Sequence, residues 1–105
     1  MPMLDLILRI PFDGLVVENV NKRGSKITVG AIREKVGERL ALFGNVDPIY
    51  VLGTGDGDLI AEEVKRQFET AGRDGAFVCH SSIVSANVSV EAVNAMLAAS
   101  RECRY

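Results

Sequence analysis

Hydrophobic and polar residues alternate at the start of the chain. Between residues 3 and 10, leucine or isoleucine fills every second position from Leu4, and Asp5 and Arg9 lie between them. A period of two with one polar face is typical of a half-buried strand near the edge of a sheet. A turn over residues 11–14 and a β-branched run over residues 15–20 then predict a second strand.

Three later segments have apolar residues at the three- and four-residue steps of an amphipathic helix. The first is predicted to begin after Thr28 and end at Gly44, the second to end at Gly72, and the third to begin after Ser89. Their apolar positions are, in order, Val29, Ile32, Val36, Leu40 and Phe43; Ile60, Val64, Phe68 and Ala71; and Val90, Val93 and Leu97.

Short apolar runs at residues 49–52 and 76–79 predict two strands that are covered on both faces. Residues 83–88 alternate again, which predicts either an edge strand or an extended loop. The predicted order is β-β-α-β-α-β-(β)-α, and right-handed crossovers make its central strands parallel. The sequence therefore predicts a single α/β domain over residues 1–105, with three helices and a mixed sheet of four to five strands around a parallel β-α-β-α-β centre.

Composition narrows the classes of function. Of the 105 residues, 48% are hydrophobic and 25% charged, which is typical of a globular domain rather than a disordered tail or a coiled coil. The net charge of −2 and the lack of tryptophan argue against nucleic acid as a partner. No apolar run approaches the roughly 20 residues of a membrane span. Because no export signal is recognised, we expect a cytoplasmic protein in which Cys79 and Cys103 are free thiols.

Two polar segments follow the two central predicted strands. In a parallel sheet, ligands bind at the carboxyl ends of the strands. The loop 53–58 follows the predicted strand at 49–52, and His80, Ser81 and Ser82 follow the strand at 76–79. Both segments are therefore expected at one edge of the sheet, where they would line a site for a small polar or anionic molecule.

The loop 53–58 has glycine at every second position, which lets backbone N–H groups approach an anion at the start of a helix. It matches neither a dinucleotide-binding fingerprint nor a P-loop. Its two carboxylates suit a cation, sugar hydroxyls or a helix cap instead, and no metal site is assigned. The candidate ligand-binding residues of this loop are Gly53, Thr54, Gly55, Gly57 and Asp58, and Asp56 is a candidate catalytic group.

His80 is the one histidine of the chain and the best candidate for acid/base chemistry, with Asp56 or Asp58 as its partner. Cys79 points to the other side of a strand from His80 and is expected to be a buried core thiol. Lys22, Arg23 and Lys26 form a small basic turn, which is either simply solvated or a contact for an anionic ligand.

Three functions fit this sequence. The first is a ligand-binding α/β domain that acts as an oligomeric subunit or regulator. The second is a small acid/base enzyme that uses His80, and a divalent cation is one option for it. The third is a purely structural subunit of a homo-oligomer. Gly30, Gly37 and Ala41 form a strip of small residues on the first helix, which is a candidate surface for the sheet or for a second copy of the chain. No cofactor is identified.

Overall fold

The computed structural model describes residues 2–17, 21–22, 25–26, 28–73, 75–81 and 83–103. In these ranges the chain forms four α-helices, five strands and a 3₁₀ helix at Leu52–Thr54. The helices are α1 (Pro2–Ile7), α2 (Val29–Val36), α3 (Gly57–Ala71) and α4 (Val90–Glu102). The strands are β1 (Gly14–Val16), β2 (Asn21–Lys22), β3 (Ser25–Lys26), β4 (Ala41–Asn45) and β5 (Phe77–His80).

The central sheet has three strands, all parallel, in the order β1-β4-β5. The strands β2 and β3 form a separate antiparallel hairpin between β1 and α2. The prediction of a mixed sheet with four to five strands was therefore wrong, although the α/β class is confirmed. The parallel β-α-β-α-β order is present as β1-α2-β4-α3-β5.

One face of the sheet packs against the helices. Leu15, Leu42 and Phe77 lie opposite one another in register and belong to a core that α1 and α2 complete through residues such as Leu4. The ring of Phe77 meets that of Phe68 on α3 edge-on, with centroids 5.0 Å apart. A second core lies between α3 and α4 and includes Ile60, Val64, Ala92 and Met96.

The opposite face carries an apolar row that the described helices do not cover. Val16, Phe43 and Val78 lie in register across the three strands. Val16 is 56% exposed and Val78 is 45% exposed. Since parallel sheets are nearly always covered on both faces, this row marks a surface that other elements are needed to bury.

The first strand of the sequence prediction is a helix. Residues 2–7 form α1, in which Leu4 is buried while Met3 and Leu6 are exposed. The side chain of Asp5 on this helix pairs with Lys35 on α2 at 3.2 Å. The leucines of this segment fit both the period of two of a strand and the four-residue step of a helix, and in the structure they form a helix. Among the described residues, no helix has the length and apolarity needed to cross a membrane.

The helix α2 begins as predicted but ends early. Thr28 is its N-cap and accepts a hydrogen bond from the amide of Ala31 at 3.1 Å. It ends at Gly37, whose φ of +63° is a conformation that favours glycine. The predicted continuation to Gly44 was wrong, because residues 41–45 form β4. Of the small-residue strip, Gly30 does allow a close approach, and its neighbour is Thr70 on α3.

The strand predicted at residues 49–52 is also absent from the structure. These residues form a turn that leads into the 3₁₀ helix, and Ile49 and Tyr50 are exposed. Residues 83–88 form an extended loop with a turn, which was the alternative to an edge strand. The helix start after Ser89 and the helix end at Gly72 are confirmed. Asp56 caps α3 and Ser89 caps α4, and each side chain accepts hydrogen bonds from the first turn of its helix.

Candidate functional site

Three strand-to-helix connections leave the sheet at one edge, because its strands are parallel. The first contains the β2–β3 hairpin and joins β1 to α2. The second, residues 46–56, joins β4 to α3, and the third, residues 81–89, joins β5 to α4. This carboxyl edge is where α/β folds place their ligands.

His80 lies at the carboxyl end of β5, in register with Asn45 of β4. Its neighbour Cys79 packs against the two helix-side cores, so strand alternation directs the His80 side chain to the same face as Val78. The imidazole is half-buried, and its buried Nδ1 atom has no hydrogen-bond partner among the described residues. That nitrogen therefore has hydrogen-bonding capacity that the described residues do not use.

Asn45 is fully buried and is held by Gln67 of α3. The amide N–H of Asn45 donates to Gln67 Oε1 at 3.3 Å, and Gln67 Nε2 donates to Glu63 Oε1 at 2.9 Å. Glu63 in turn pairs with Arg66, and this contact raises the pKa of the Arg66 guanidinium. The network fixes the end of β4 beside His80, and Val46 N–H donates to the His80 carbonyl at 2.9 Å.

Asp47 follows β4 and shapes the start of the second connection. Its Oδ1 atom accepts hydrogen bonds from the amides of Ile49 at 2.8 Å and Tyr50 at 2.9 Å. Its carbonyl also accepts a hydrogen bond from Leu52 at 3.0 Å. The buried carboxylate therefore stabilises a tight turn, as aspartate commonly does.

The glycine-rich loop 53–58 contains the end of the 3₁₀ helix and the start of α3. Gly55, with φ of +68°, ends the 3₁₀ helix, and Gly53 lies where a Cβ atom would come within 3.2 Å of the Pro48 carbonyl oxygen. The Thr54 hydroxyl donates to the Val51 carbonyl at 2.7 Å and accepts a hydrogen bond from the Asp56 amide.

Asp56 is the N-cap of α3, and its Oδ1 atom accepts hydrogen bonds from the amides of Asp58 at 3.1 Å and Leu59 at 3.2 Å. The capping role that the sequence left open for this carboxylate is therefore present. Gly57 is the first residue of α3. Asp58, in the first turn, lines a groove between α3 and α4 on the outside of the molecule.

The third connection begins with Ser81, whose hydroxyl donates to the Ile83 carbonyl at 3.0 Å. Ser82 and Arg23 lie outside the described residues. The described residues contain no group of three or more His, Cys, Asp or Glu side chains arranged to hold a metal ion. The chemistry that the described edge offers is therefore that of an imidazole, and the connections at this edge also carry exposed apolar side chains such as Tyr50 and Ile83.

The two cysteines are free thiols. Burial raises the pKa of Cys79 from 9.0 to about 11, with a further contribution from the charge of Cys103. Burial also raises the pKa of Cys103. Cys79 therefore belongs to the packed side of β5, as its position in an apolar run predicts.

Two features of the edge were missed in the sequence. Asn45 and Asp47 flank the end of β4, and the strand itself was assigned to a helix. The apolar run 41–43, which lies between the polar residues 38–39 and Pro48, is the signal that indicates a strand ending at this point. The β2–β3 hairpin places Lys22 and Lys26, by backbone position, in the connection after β1. In the sequence, this hairpin is a polar turn, and nothing in that turn indicates that it lies at the same edge of the sheet as His80.

The order β1-β4-β5, with consecutive strands adjacent and the helices on one face, occurs in α/β barrels and in each half of a doubly wound sheet. The chain matches the uroporphyrinogen decarboxylase (URO-D) family over residues 1–103, and it belongs to that family. Comparison with curated proteins and with solved structures gave no significant match.

Proposed function

We propose that this chain contributes to the active site of a barrel-type enzyme that acts on a carboxylate-bearing small molecule at the carboxyl edge of β1, β4 and β5. The family to which the chain belongs supports an enzyme, and a decarboxylase acts on a carboxylate by definition. The observation that carries the proposal is His80, half-buried at this edge with a buried ring nitrogen that has no hydrogen-bond partner among the described residues.

The uncovered face of the sheet supports the barrel. Sequential parallel strands with helices on one side leave the row of Val16, Phe43 and Val78 bare, and in a barrel such a row forms a layer of the packed interior. Further strands that close the barrel would bury it. They would also supply a further wall for a site at the carboxyl edge.

Two lysines in the first connection favour an anionic ligand. The hairpin in the first connection carries Lys22 and Lys26 by backbone position, and His80 ends the third strand. A protonated imidazole and lysines are suitable partners for carboxylates. This assignment takes the basic turn of the sequence as a ligand contact rather than a solvated loop.

The chemistry of decarboxylation supports a role for His80. Loss of carbon dioxide leaves an electron pair on the carbon atom, and a proton must replace the carboxyl group there. Histidine is the side chain best suited to hold and transfer that proton near neutral pH. In this proposal His80 supplies the proton or binds a carboxylate of the substrate.

The two free thiols of the chain fit a reducing compartment such as the cytosol.

Binding of uroporphyrinogen under anaerobic, reducing conditions tests the proposal. We expect His80→Gln to weaken binding roughly tenfold or more, since a hydrogen bond to a charged group is lost. Lys22→Gln and Lys26→Gln should each weaken binding by a few fold, and less so at high salt. Dissociation constants are measured by calorimetry on the natural protein and on each variant.

Lys65→Gln is the matched control, because it makes the same charge change on the outer groove between α3 and α4. Binding by the control should equal that of the natural protein. A protein that does not bind the compound, or that binds it equally well after His80→Gln and after Lys65→Gln, would contradict the proposed site.

A further inference from the structure

A groove with a volume of about 800 Å³ runs between α3 and α4 on the outside of the molecule. Its wall on α3 extends from Asp58 to Glu69, and its wall on the side of α4 extends from Ala99 to Cys103. At about 1.5 Å per residue, the wall on α3 is roughly 16 Å long, or about three turns of helix. A channel of this length between two helices has the shape that a third helix can occupy.

The bottom of the groove is apolar. Phe68 lines it and also packs against both hydrophobic cores, so its ring lies at the base of the groove. Ala61 on α3 and Ala99 on α4 line it as well, and all three residues are half-buried. Small side chains on both walls leave room for larger apolar side chains, whose burial against Phe68 would be favourable.

The upper part of the groove is charged, and its charges select the kind of partner. Six charged side chains line it and all are exposed, four of them acidic and two basic: Asp58, Glu62, Glu69 and Glu102, and Lys65 and Arg73. Their net charge is −2. Such a rim repels an acidic partner and attracts a basic one, because charges across an interface are arranged to complement each other.

We propose that this groove binds a basic amphipathic helix of a partner protein. The apolar face of that helix would lie on Phe68 and the two alanines, and its lysine or arginine side chains would lie beside the acidic rim. This interaction does not depend on the proposed function. Strands that close a barrel would add to the edges of the sheet, so they would leave the outside of α3 and α4 open.

A synthetic peptide of leucine and lysine tests the proposal on the whole chain. The peptide is roughly four turns long, and its leucines follow the spacing of one helix face. Anisotropy of the labelled peptide measures binding. We expect saturable binding that weakens as salt is added, since salt screens the exposed charges. The same peptide with glutamate in place of lysine should not bind.

Two variants of the rim should change the affinity in opposite directions. Glu62→Gln removes an acidic charge and should weaken binding of the leucine–lysine peptide by about two- to fivefold, as expected for an exposed ion pair. Lys65→Gln removes a basic charge and should strengthen binding by a similar factor. Glu34→Gln is the control, because it makes the same charge change as Glu62→Gln on the exposed side of α2, and it should leave the affinity unchanged.

Two neighbouring alanines test the apolar base. Ala99→Gln places a long side chain in the groove and should weaken binding of the leucine–lysine peptide by roughly tenfold or more. The exposed Ala98 lies beside it on α4 but outside the groove, so Ala98→Gln should have no effect. The proposal is overturned if the natural protein does not bind this peptide or binds the glutamate peptide equally well. Equal affinities of the Ala99→Gln and Ala98→Gln variants, or of the Glu62→Gln and Glu34→Gln variants, would also overturn it.

Discussion

At the scale of single residues, Arg33 shows how one side chain joins several elements. Its guanidinium donates hydrogen bonds to the carbonyls of Ala71, Gly37, Leu40 and Ala76, at 2.7 to 2.9 Å. The carbonyls of Gly37 and Leu40 lie between α2 and β4. The carbonyl of Ala71 ends α3, and that of Ala76 directly precedes β5. These carbonyls lie at the amino-terminal edge of the sheet, opposite the candidate site. In α/β barrels, residues at this edge contribute to stability rather than to chemistry.

Replacing Arg33 tests this role. Arg33→Ala leaves four carbonyls to water or without partners and should lower the free energy of unfolding by about 2–4 kcal/mol. Arg39→Ala is the control, because Arg39 donates to a single exposed carbonyl, that of Leu8. It should cost no more than about 1 kcal/mol. Urea unfolding of both variants measures the difference, and equal losses would show that the four bonds do not act as described.

The candidate site could be located from single residues only in part. The sequence singles out His80 as a candidate because the chain has one histidine and it follows an apolar run. The helix caps Thr28 and Ser89 were found because their side chains act locally. The role of Asn45 depends on Gln67, which is 22 residues away, and no local pattern reports a partner at that distance.

At the scale of elements, the errors in the sequence prediction arise where one apolar pattern fits two periods. Leu4 and Leu8 are four residues apart and alternate with polar positions, so they fit a strand and a helix equally well. In the same way, Val36, Leu40 and Phe43 continue a helical spacing across the end of α2. That helix ends at Gly37, because its φ of +63° lies outside the helical region.

The pairing of β4 with β5 depends on a residue without a side chain. A Cβ atom on Gly44 would lie 2.8 Å from Cζ of the buried Phe77 ring and 3.1 Å from Gln67 Oε1. The ring is packed against Phe68 and has little room to move. Gly44 is therefore required by close packing between the sheet and α3.

Gly44→Ala tests this packing. The variant should lower the free energy of unfolding by about 2–3 kcal/mol, because it overpacks a filled core. Gly57→Ala is the control, since its added Cβ would meet only Ala95, at 3.9 Å, and alanine favours a helix. That variant should be neutral or slightly stabilising in thermal unfolding. The packing account fails if Gly44→Ala melts at the same temperature as the natural protein.

At the scale of the whole molecule, the helices cover one face of the sheet and leave the other bare. The right-handed β1-α2-β4-α3-β5 order steps across the sheet in one direction, which keeps the helices on the same side. The same arrangement carries all three connections to the edge where His80 lies. The winding thus accounts both for the row of Val16, Phe43 and Val78, in which the two valines are exposed and Phe43 is half-buried, and for the position of the candidate site.

Two valines of similar exposure test whether this face is covered in the working protein. Val78 lies on the sheet face and is 45% exposed, whereas Val84 lies in a loop and is 51% exposed. Threonine keeps the shape of valine and adds a hydroxyl group. If barrel strands cover the face, Val78→Thr should cost about 1–2 kcal/mol and Val84→Thr less than about 0.5 kcal/mol in urea unfolding. Equal and negligible costs would contradict the barrel.

The most direct test of the proposed site uses the fact that His80 is the one histidine of the chain. Nuclear magnetic resonance of protein labelled with ¹⁵N in the histidine ring gives the Nδ1 and Nε2 signals of this residue alone. On titration with uroporphyrinogen, we predict that the ring nitrogen signals shift in step with the binding curve measured by calorimetry. Binding that saturates while both ring signals stay unchanged would contradict a site at the carboxyl edge beside His80.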